Sequence, residues 1–218
     1  MNKEEIDLIR NVSNNLVEKH GKKYKAFIER ALKSLINRFG VENTLRFINN
    51  ESTFTECVLH NHTVNSIFDA VQKIDELAVF LSMINVKSSV ISDHGVMTGV
   101  DTFVNNMHSK GIKPIVGVES YFRDGDKGPL SHLILYGMND DGRHALYKAV
   151  TESNRNLVKD FPVMNSEIIQ KYFGKGSKGY GNVICTSACC TGILATIFNK
   201  NFYIKKEKNT WNNGKNIV

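Results

Sequence analysis

The alternation of strand-like and helical patterns after residue 56 is the feature that most restricts the fold of this chain. Apolar runs typical of strands occur, in order, at CVLHNHT, SSVISDHG, KPIVGVESYF, SHLILYGM and NVICTSA. Helical spacing of apolar residues occurs between most of them, at SIFDAVQKIDELAVFLSMINV, GVDTFVNNMHSKG, DDGRHALYKAVTESNR and 166–173. This order favours an α/β fold with a parallel sheet or barrel over an all-β or all-helical fold.

The first fifty residues have a different pattern, with apolar positions at helical spacing and breaks at Gly21 and Gly40. We therefore expect three segments: a helical extension over 1–52, an α/β domain over 53–198 and a polar basic tail over 199–218. Residues 1–50 hold 10 basic and 6 acidic residues, and 199–218 hold 5 basic and 1 acidic residue. Each end thus carries a surplus of +4, which is either a solvated lysine-rich surface or an attraction for nucleic acid.

The composition is that of an ordinary globular protein, with 41% hydrophobic and 23% charged residues. No apolar run approaches the roughly 20 residues of a membrane span. The N-terminal residues form a polar amphipathic pattern and not a signal peptide. We therefore expect a cytoplasmic protein without a membrane partner, whose four cysteines are free thiols or metal ligands.

Residues that can bind a metal recur at the predicted strands. They are His60 and His62 on the first strand, Asp93 and His94 at the end of the second, Glu119 in the third, His132 at the start of the fourth and Cys189 after the fifth. Asp69 is a further candidate on the loop after the first strand. In a β/α barrel the carboxyl ends of the strands converge on one rim, so we expect these side chains to meet there. Imidazole, carboxylate and thiolate together suit zinc, manganese or iron.

Each of these residues taken alone has a simpler interpretation. A single buried histidine is usually a hydrogen-bonded core residue, Glu119 could be an ion-pair partner, and Cys189 could be a small core residue. The recurrence of such residues strand after strand is what favours a metal site.

Five motifs follow one another along the chain: LHNHT, ISDHG, GIKPIVGVESYF, HLILY and SACCTG. In order and spacing they resemble the successive motifs of the polymerase-and-histidinol-phosphatase (PHP) superfamily. More narrowly, they are similar to the PHP domains found at the N-terminus of bacterial replicative DNA polymerase III alpha subunits. The resemblance runs from Thr55 to Phe198 and is strongest in SDHGVMTGVDTFVNNMHSKGIKPIVGVESYF.

The resemblance implies a distorted, TIM-like, seven-stranded β/α barrel with up to three divalent metal ions at the strand ends. It implies metal ligands at His60, His62, Asp69, His94, Glu119, His132 and Cys189. Asp93 corresponds to a supporting carboxylate next to the ligands, and Cys190 matches no functional position.

Two departures from the family pattern affect these expectations. The last metal motif of the family, an Asp-x-His pair, is missing from 193–218, so we expect a C-terminally incomplete barrel. The helical residues 1–50 are an addition, because the family usually starts almost at the first strand. The catalytic carboxylates of the polymerase are also missing from the sequence, and we therefore expect no DNA synthesis by this chain.

Three functions are compatible with these features. The first is a metal-dependent phosphoesterase that acts on a DNA 3′ end as a 3′–5′ exonuclease-type proofreading module. The second is a non-catalytic PHP module of a split or truncated polymerase, and the third is a stand-alone small-molecule PHP phosphatase. The expected partners are DNA, the remaining polymerase segments and replisome subunits, while DNA-binding residues cannot be assigned from the sequence.

Overall fold

The computed structural model describes residues 3–52, 56–67, 69–125, 128–155, 157–195 and 198. These residues form two compact units. The first unit comprises the described residues up to Ile91 together with Thr98–Ile115, and the second comprises Ser92–Met97 and the described residues from Val116 onward. The segment boundaries expected near residues 52 and 198 remain predictions.

The first unit is mainly helical. Its elements are α1 (Lys3–His20), a 3-10 helix (Lys22–Tyr24), α2 (Lys25–Ile48), β1 (Cys57–Val58), α3 (Ile74–Met83), β2 (Ser88–Ile91) and α4 (Val100–Ser109). Gly21 and Gly40, where the sequence predicts breaks, both have a positive φ, of 108° and 79°. A residue with a side chain adopts such a φ only at a cost, which explains glycine at these two positions. Gly40 divides α2 by a kink.

Helices α1 and α2 pack on α3 through one apolar cluster. The buried members of this cluster are Leu16, Tyr24, Ile28, Leu32, Val79 and Met83. The Tyr24 hydroxyl also donates a hydrogen bond of 3.1 Å to the Asp75 carboxylate at the start of α3. Burial of a large aliphatic side chain contributes about 1.5–3 kcal/mol. The helical residues before residue 50 therefore share a core with α3 and do not form a detached hairpin.

The first strand is much shorter than its sequence pattern predicts. The sequence predicts a strand through CVLHNHT, but β1 is only Cys57–Val58 and pairs in parallel with Ser88 and Ser89 of β2. His60 and His62 therefore lie beyond the strand, and the prediction that they lie on it is wrong. Leu59 is exposed, so the apolar run is not covered beyond β1.

The second unit contains a mixed sheet with two helices. Its elements are β3 (Lys113–Arg123), which starts in the first unit, β4 (Ser131–Gly137), α5 (Asp140–Arg155), β5 (Val163–Asn165), α6 (Ser166–Phe173) and β6 (Val183–Thr186). In this unit β3 pairs in parallel with β5 on one side and antiparallel with β4 on the other, and β4 pairs antiparallel with β6.

The antiparallel pairs contradict the predicted parallel sheet. Only residues 124–130 separate β3 from β4. A parallel pair requires a crossover of about a dozen residues or more, so this short connection can form only a hairpin. No pairing among the described residues joins β5 to β6, so the sheet is open and the predicted barrel is not confirmed.

The core of the second unit lies between the sheet and the helices. Its buried members are Val118, Leu135, Leu146, Ala149, Val150, Met164 and Ile168. Helix α6 coincides with the predicted segment 166–173, and the Asn165 side chain caps it by accepting a hydrogen bond of 2.9 Å from the Ile168 amide. The sequence pattern missed β5, because three residues are too few to show a period.

The C-terminal part of the chain is described only in part. The predicted tail over 199–218 lies outside the described residues. Among the helices that are described, none is long and apolar enough to cross a membrane.

His20, at the end of α1, is a buried titratable group that the sequence gives no reason to notice. Its residue is 7% exposed, and neither ring nitrogen has a hydrogen-bond partner among the described residues. Burial, together with the positive charges of Lys110 and Lys19, lowers its pKa from 6.5 to about 4. The ring is therefore neutral in the folded protein at neutral pH.

We predict that a His20→Leu substitution makes stability less dependent on pH. Between pH 6.5 and 4 the unfolded chain binds a proton at His20 and the folded chain does not, so this group lowers stability as the pH falls. The substitution should remove about 2 kcal/mol of the difference in unfolding free energy between pH 7 and pH 4.5, measured with urea. His108→Leu, on the exposed face of α4, is the control. An unchanged pH dependence in His20→Leu would contradict the prediction.

Candidate metal centre

In the second unit, the backbone places His94 beside Glu119 of β3. The Glu119 amide donates to the Asp93 carbonyl at 3.2 Å, and the Gly95 amide donates to the Glu119 carbonyl at 2.8 Å. His94 and Glu119 thereby form an isolated parallel bridge. The side chains of paired residues lie on the same face, so the two functional groups meet.

The Glu119 carboxylate is the centre of this arrangement. The residue is 1% exposed. One carboxylate oxygen, Oε1, lies 3.0 Å from His132 Nδ1, and the other, Oε2, lies 3.5 Å from His94 Nε2. An ionised carboxylate removed from water is costly unless polar or charged groups surround it, and here two imidazoles do.

Tyr121, two residues after Glu119 on β3, orients both imidazoles. Its ring stacks on that of His94 with centroids 5.1 Å apart, and meets the edge of the His132 ring at 5.2 Å. Phe161 packs on Tyr121 at 5.0 Å. The two histidine rings are therefore held by packing as well as by Glu119.

Cys189 and Thr191 complete this cluster from the loop after β6. The Cys189 sulfur lies 3.8 Å from Glu119 Oε1 and 3.9 Å from His132 Nδ1. Thr191 Oγ1 lies 3.0 Å from both the Cys189 sulfur and His132 Nδ1. The loop is tied to β4 because the His132 amide donates to the Thr191 carbonyl at 3.1 Å.

These contacts shift two pKa values toward the charged forms. The hydrogen bond to Glu119 raises the pKa of His132, against the opposite effect of burial. Burial would raise the pKa of the Cys189 thiol, but the hydrogen bonds from Thr191 and His132 outweigh it, so that the pKa is lowered. A lowered thiol pKa favours the thiolate, which is the form that binds metals.

The spacing of these donor atoms fits a metal ion. Ligand atoms at about 2.0–2.3 Å from a tetrahedral zinc ion lie roughly 3.3–3.8 Å from one another. The contacts of Glu119 with His94 and Cys189, at 3.5 and 3.8 Å, fall in that range, and that with His132, at 3.0 Å, is slightly shorter. One ligand atom from each of His94, Glu119 and His132 lies within 4.8 Å of the others.

The first unit contains a second group of metal-competent residues, on the loop after β1. His60 Nε2 and His62 Nε2 are 2.8 Å apart. The Asp69 carboxylate lies 3.2 Å from His62 Nδ1, and the Ser66 hydroxyl lies 3.3 Å from the same atom. The Ser66 hydroxyl also donates to Asp69 at 3.4 Å.

The contact with Asp69 determines which nitrogen of His62 can bind a metal. An ionised carboxylate only accepts hydrogen bonds, so we assign the proton to His62 Nδ1. The lone pair is then on Nε2, the nitrogen that faces His60. Carboxylates that hold the remote nitrogen of a ligating histidine are common at metal sites.

The structure brings the predicted residues together in two sets. His94, Glu119, His132 and Cys189 form one set in the second unit, and His60, His62 and Asp69 form the other in the first. Asp93 is buried and supports the first set through its backbone. Cys190 is exposed. The expectation that both sets hold one group of metal ions remains a prediction.

Sequence reasoning missed Thr191, Tyr121 and Ser66, which touch the predicted ligands. Thr191 and Tyr121 each lie two residues from a predicted ligand on the same segment, and this spacing is the only signal that could have indicated them. Nothing in the sequence distinguishes Ser66 from the other serines.

The fold and the site define a mixed α/β protein with a histidine, glutamate and cysteine cluster of the metal-binding type on and beside its strands. A family model of the PHP domain matches residues 59–217. The chain belongs to the PHP domain family.

Several curated relatives are DNA polymerase III alpha subunits. That of Campylobacter jejuni is 33% identical over 147 residues, which are 65% of this chain and 12% of that protein. That of Helicobacter pylori (strain J99) is 32% identical over 149 residues, 66% of this chain and 12% of that protein. That of Aquifex aeolicus is 32% identical over 149 residues, which are 62% of this chain and 12% of that protein. The chain thus spans 12% of the length of these relatives.

Solved structures give a weaker likeness. A Bifidobacterium adolescentis protein assigned to the metal-dependent phosphoesterases is 18% identical, with a TM-score of 0.38 over 45% of this chain and 33% of that one. An amidohydrolase from Chromobacterium violaceum is 19% identical, with a TM-score of 0.39 over 46% of this chain and 34% of that one. Neither match adds to the family assignment.

We predict that Thr191→Val weakens metal binding without removing a ligand. The hydroxyl lies between the Cys189 sulfur and His132 Nδ1, and losing such a support typically costs 10–100-fold in metal affinity. Competition between the protein and a chromophoric chelator for Zn²⁺ measures the change. Thr186→Val on β6 is the matched control, because Thr186 contacts the Tyr136 hydroxyl instead. Equal affinities in the two variants would show that Thr191 does not position the ligands.

Proposed function

We propose that this chain is a metal-dependent phosphoesterase. Its proposed ligands are His60, His62, Asp69, His94, Glu119, His132 and Cys189, for zinc, manganese or iron ions. The observation that carries the proposal is the buried Glu119 carboxylate, which lies between two imidazoles and near a thiol with a lowered pKa. Ionisable groups whose pKa values are shifted by specific partners are frequent at functional sites.

The residues of the chain have separate roles in this proposal. Glu119 supplies negative charge that balances bound cations, and Tyr121 and Thr191 keep the imidazoles and the thiol in place. Asp93 remains a proposed supporting carboxylate next to His94. When bound, divalent ions supply Lewis acidity, which activates water near neutral pH and offsets charge on a phosphate.

The proposed substrate is the 3′ end of a DNA strand, cleaved in the manner of a proofreading 3′–5′ exonuclease. The support is that the relatives named above are DNA polymerase III alpha subunits, although the chain spans 12% of their length. The proposed partners are DNA, further polymerase segments and replisome subunits, in the cytoplasm. The seven-stranded barrel of the family also belongs to this proposal, and it requires strands beyond those of the described, open sheet.

A structural role within a polymerase assembly is the second candidate. It is supported by the same relatives, which are DNA polymerase III alpha subunits of which the chain spans 12%. A small-molecule phosphatase is the third candidate. The assays below distinguish it from the DNA exonuclease.

We predict that the purified protein binds two or three zinc, manganese or iron ions, and that His60→Ala/His62→Ala loses part of this metal. The reason is that the two Nε2 atoms face each other, and the Asp69 carboxylate holds the proton on His62 Nδ1, which leaves the lone pair on Nε2. Elemental analysis measures the metal content. His108→Ala/His144→Ala removes two exposed histidines and is the matched control. A folded protein without stoichiometric metal would exclude the enzyme and leave the structural role.

We predict that Glu119→Gln abolishes phosphodiester hydrolysis. Replacing a ligand should lower the rate by at least about 100-fold, because loss of a supporting group alone costs 10–100-fold. The assay compares release of nucleotides from a single-stranded oligonucleotide with hydrolysis of p-nitrophenyl phosphate. Glu152→Gln, which loses a surface ion pair with Lys171, is the control. Hydrolysis of the monoester alone would favour the small-molecule phosphatase.

A further inference from the structure

A basic surface on α2 lies outside the residues that match the family. We define the α2 basic surface as Arg30, Lys33, Ser34, Asn37 and Arg38, which line a shallow depression of about 390 Å³. The family match begins at residue 59, so the proposed phosphoesterase chemistry gives no reason for this surface.

The spacing of these five residues places them on one side of the helix. Positions i, i+3, i+4, i+7 and i+8 lie along one stripe of an α-helix. The buried residues Ile28, Leu32 and Leu35 form the opposite side, which packs in the core of the first unit. All five members of the α2 basic surface are exposed.

The chemistry of the depression is that of a site for anions. Arginine and lysine only donate hydrogen bonds, and serine and asparagine add further donors. No carboxylate lines the depression. Among the described residues, no ion pair within 4.0 Å involves Arg30, Lys33 or Arg38. The Arg38 guanidinium also lies over the Phe39 ring at 5.5 Å, which restricts its freedom.

We propose that the α2 basic surface binds the sugar–phosphate backbone of a nucleic acid. The cations at both ends, Arg30 and Arg38, are eight residues apart, which is about 12 Å along the helix axis. One strand of DNA carries a charge about every 3.4 Å along its axis. Three cations over this distance therefore match about three consecutive phosphates. This proposal goes beyond the phosphoesterase site and does not depend on it.

A different occupant would use a neighbouring groove, which shares Lys33 and Asn37 with the α2 basic surface. A groove of about 640 Å³ between α1 and α2 is lined by Ile6, Ile9, Leu32 and Ile36 and by polar residues that include Glu29. An acidic amphipathic helix would place its apolar side in that groove. A nucleic acid backbone has no apolar side to bury there, so the experiment can separate the two partners.

The test measures binding of the full chain to a fluorescein-labelled 20-nucleotide DNA, single-stranded or as a duplex, by anisotropy in buffer with EDTA. The test variant is Arg30→Gln/Lys33→Gln/Arg38→Gln. The control is Lys73→Gln/Lys87→Gln/Lys113→Gln, which removes the same charge from exposed lysines that do not line the depression. Circular dichroism confirms that each variant is folded.

We expect the test variant to bind at least about tenfold more weakly at 50 mM salt, and the control to bind as the unmodified chain does. The slope of log affinity against log salt should become shallower by about 2.7 for the duplex or about 2.1 for the single strand, since each phosphate contact contributes about 0.9 or 0.7. A change of about 2.7 with the duplex would show that the surface binds duplex DNA, and a change of about 2.1 with the single strand would show that it binds single-stranded DNA.

Equal losses in the test and control variants would overturn the proposal, as would the lack of any binding at 50 mM salt. Displacement of the DNA by polyglutamate at an equal concentration of charge would assign the surface to an acidic protein. Because EDTA removes divalent ions, failure here leaves the proposed phosphoesterase unaffected. Conversely, an inactive metal site leaves this binding intact.

Discussion

The buried carboxylate of Glu119 is the constraint on which the site of the second unit depends. Its two oxygens contact His132 and His94, and its backbone pairs with residues 93–95. Glu119 therefore takes part in both the strand pairing and the ionic contacts. A glutamate that is 1% exposed would be unfavourable in this place without these partners or a cation. The cost of burying it is what makes a metal-binding role the natural interpretation.

The metal-competent residues could be predicted from the sequence because they recur on successive strand-like segments. His94, Glu119, His132 and Cys189 come from four separate segments, and the structure does bring them together. Thr191 could not be predicted, since its role arises from a loop conformation that places one hydroxyl between two ligands. The position of His60 and His62 beyond β1 could not be predicted, because the apolar run before them does not show where pairing with β2 ends.

The fold could be predicted in class and not in topology. The α/β composition, the helices before residue 50 and helix α6 all follow from periodicity. The direction of the strands does not, because periodicity is the same for parallel and antiparallel pairs. The connection between β3 and β4 does indicate their direction, because it is too short for the crossover that a parallel pair requires. The packing of α1 and α2 on α3 depends on an apolar cluster that includes Ile28 and Val79, which no local pattern reveals.

The open sheet of the second unit has a consequence for the handling of the isolated chain. Strand β6 is an edge among the described residues, and its sequence VICT has neither proline nor charge. Ile184 on this strand is 49% exposed. Natural proteins usually protect such edges with charged residues, proline or a covering segment, because an exposed edge is a template for strands of other molecules. A lysine at position 184 would introduce that protection and slow the self-association of concentrated solutions.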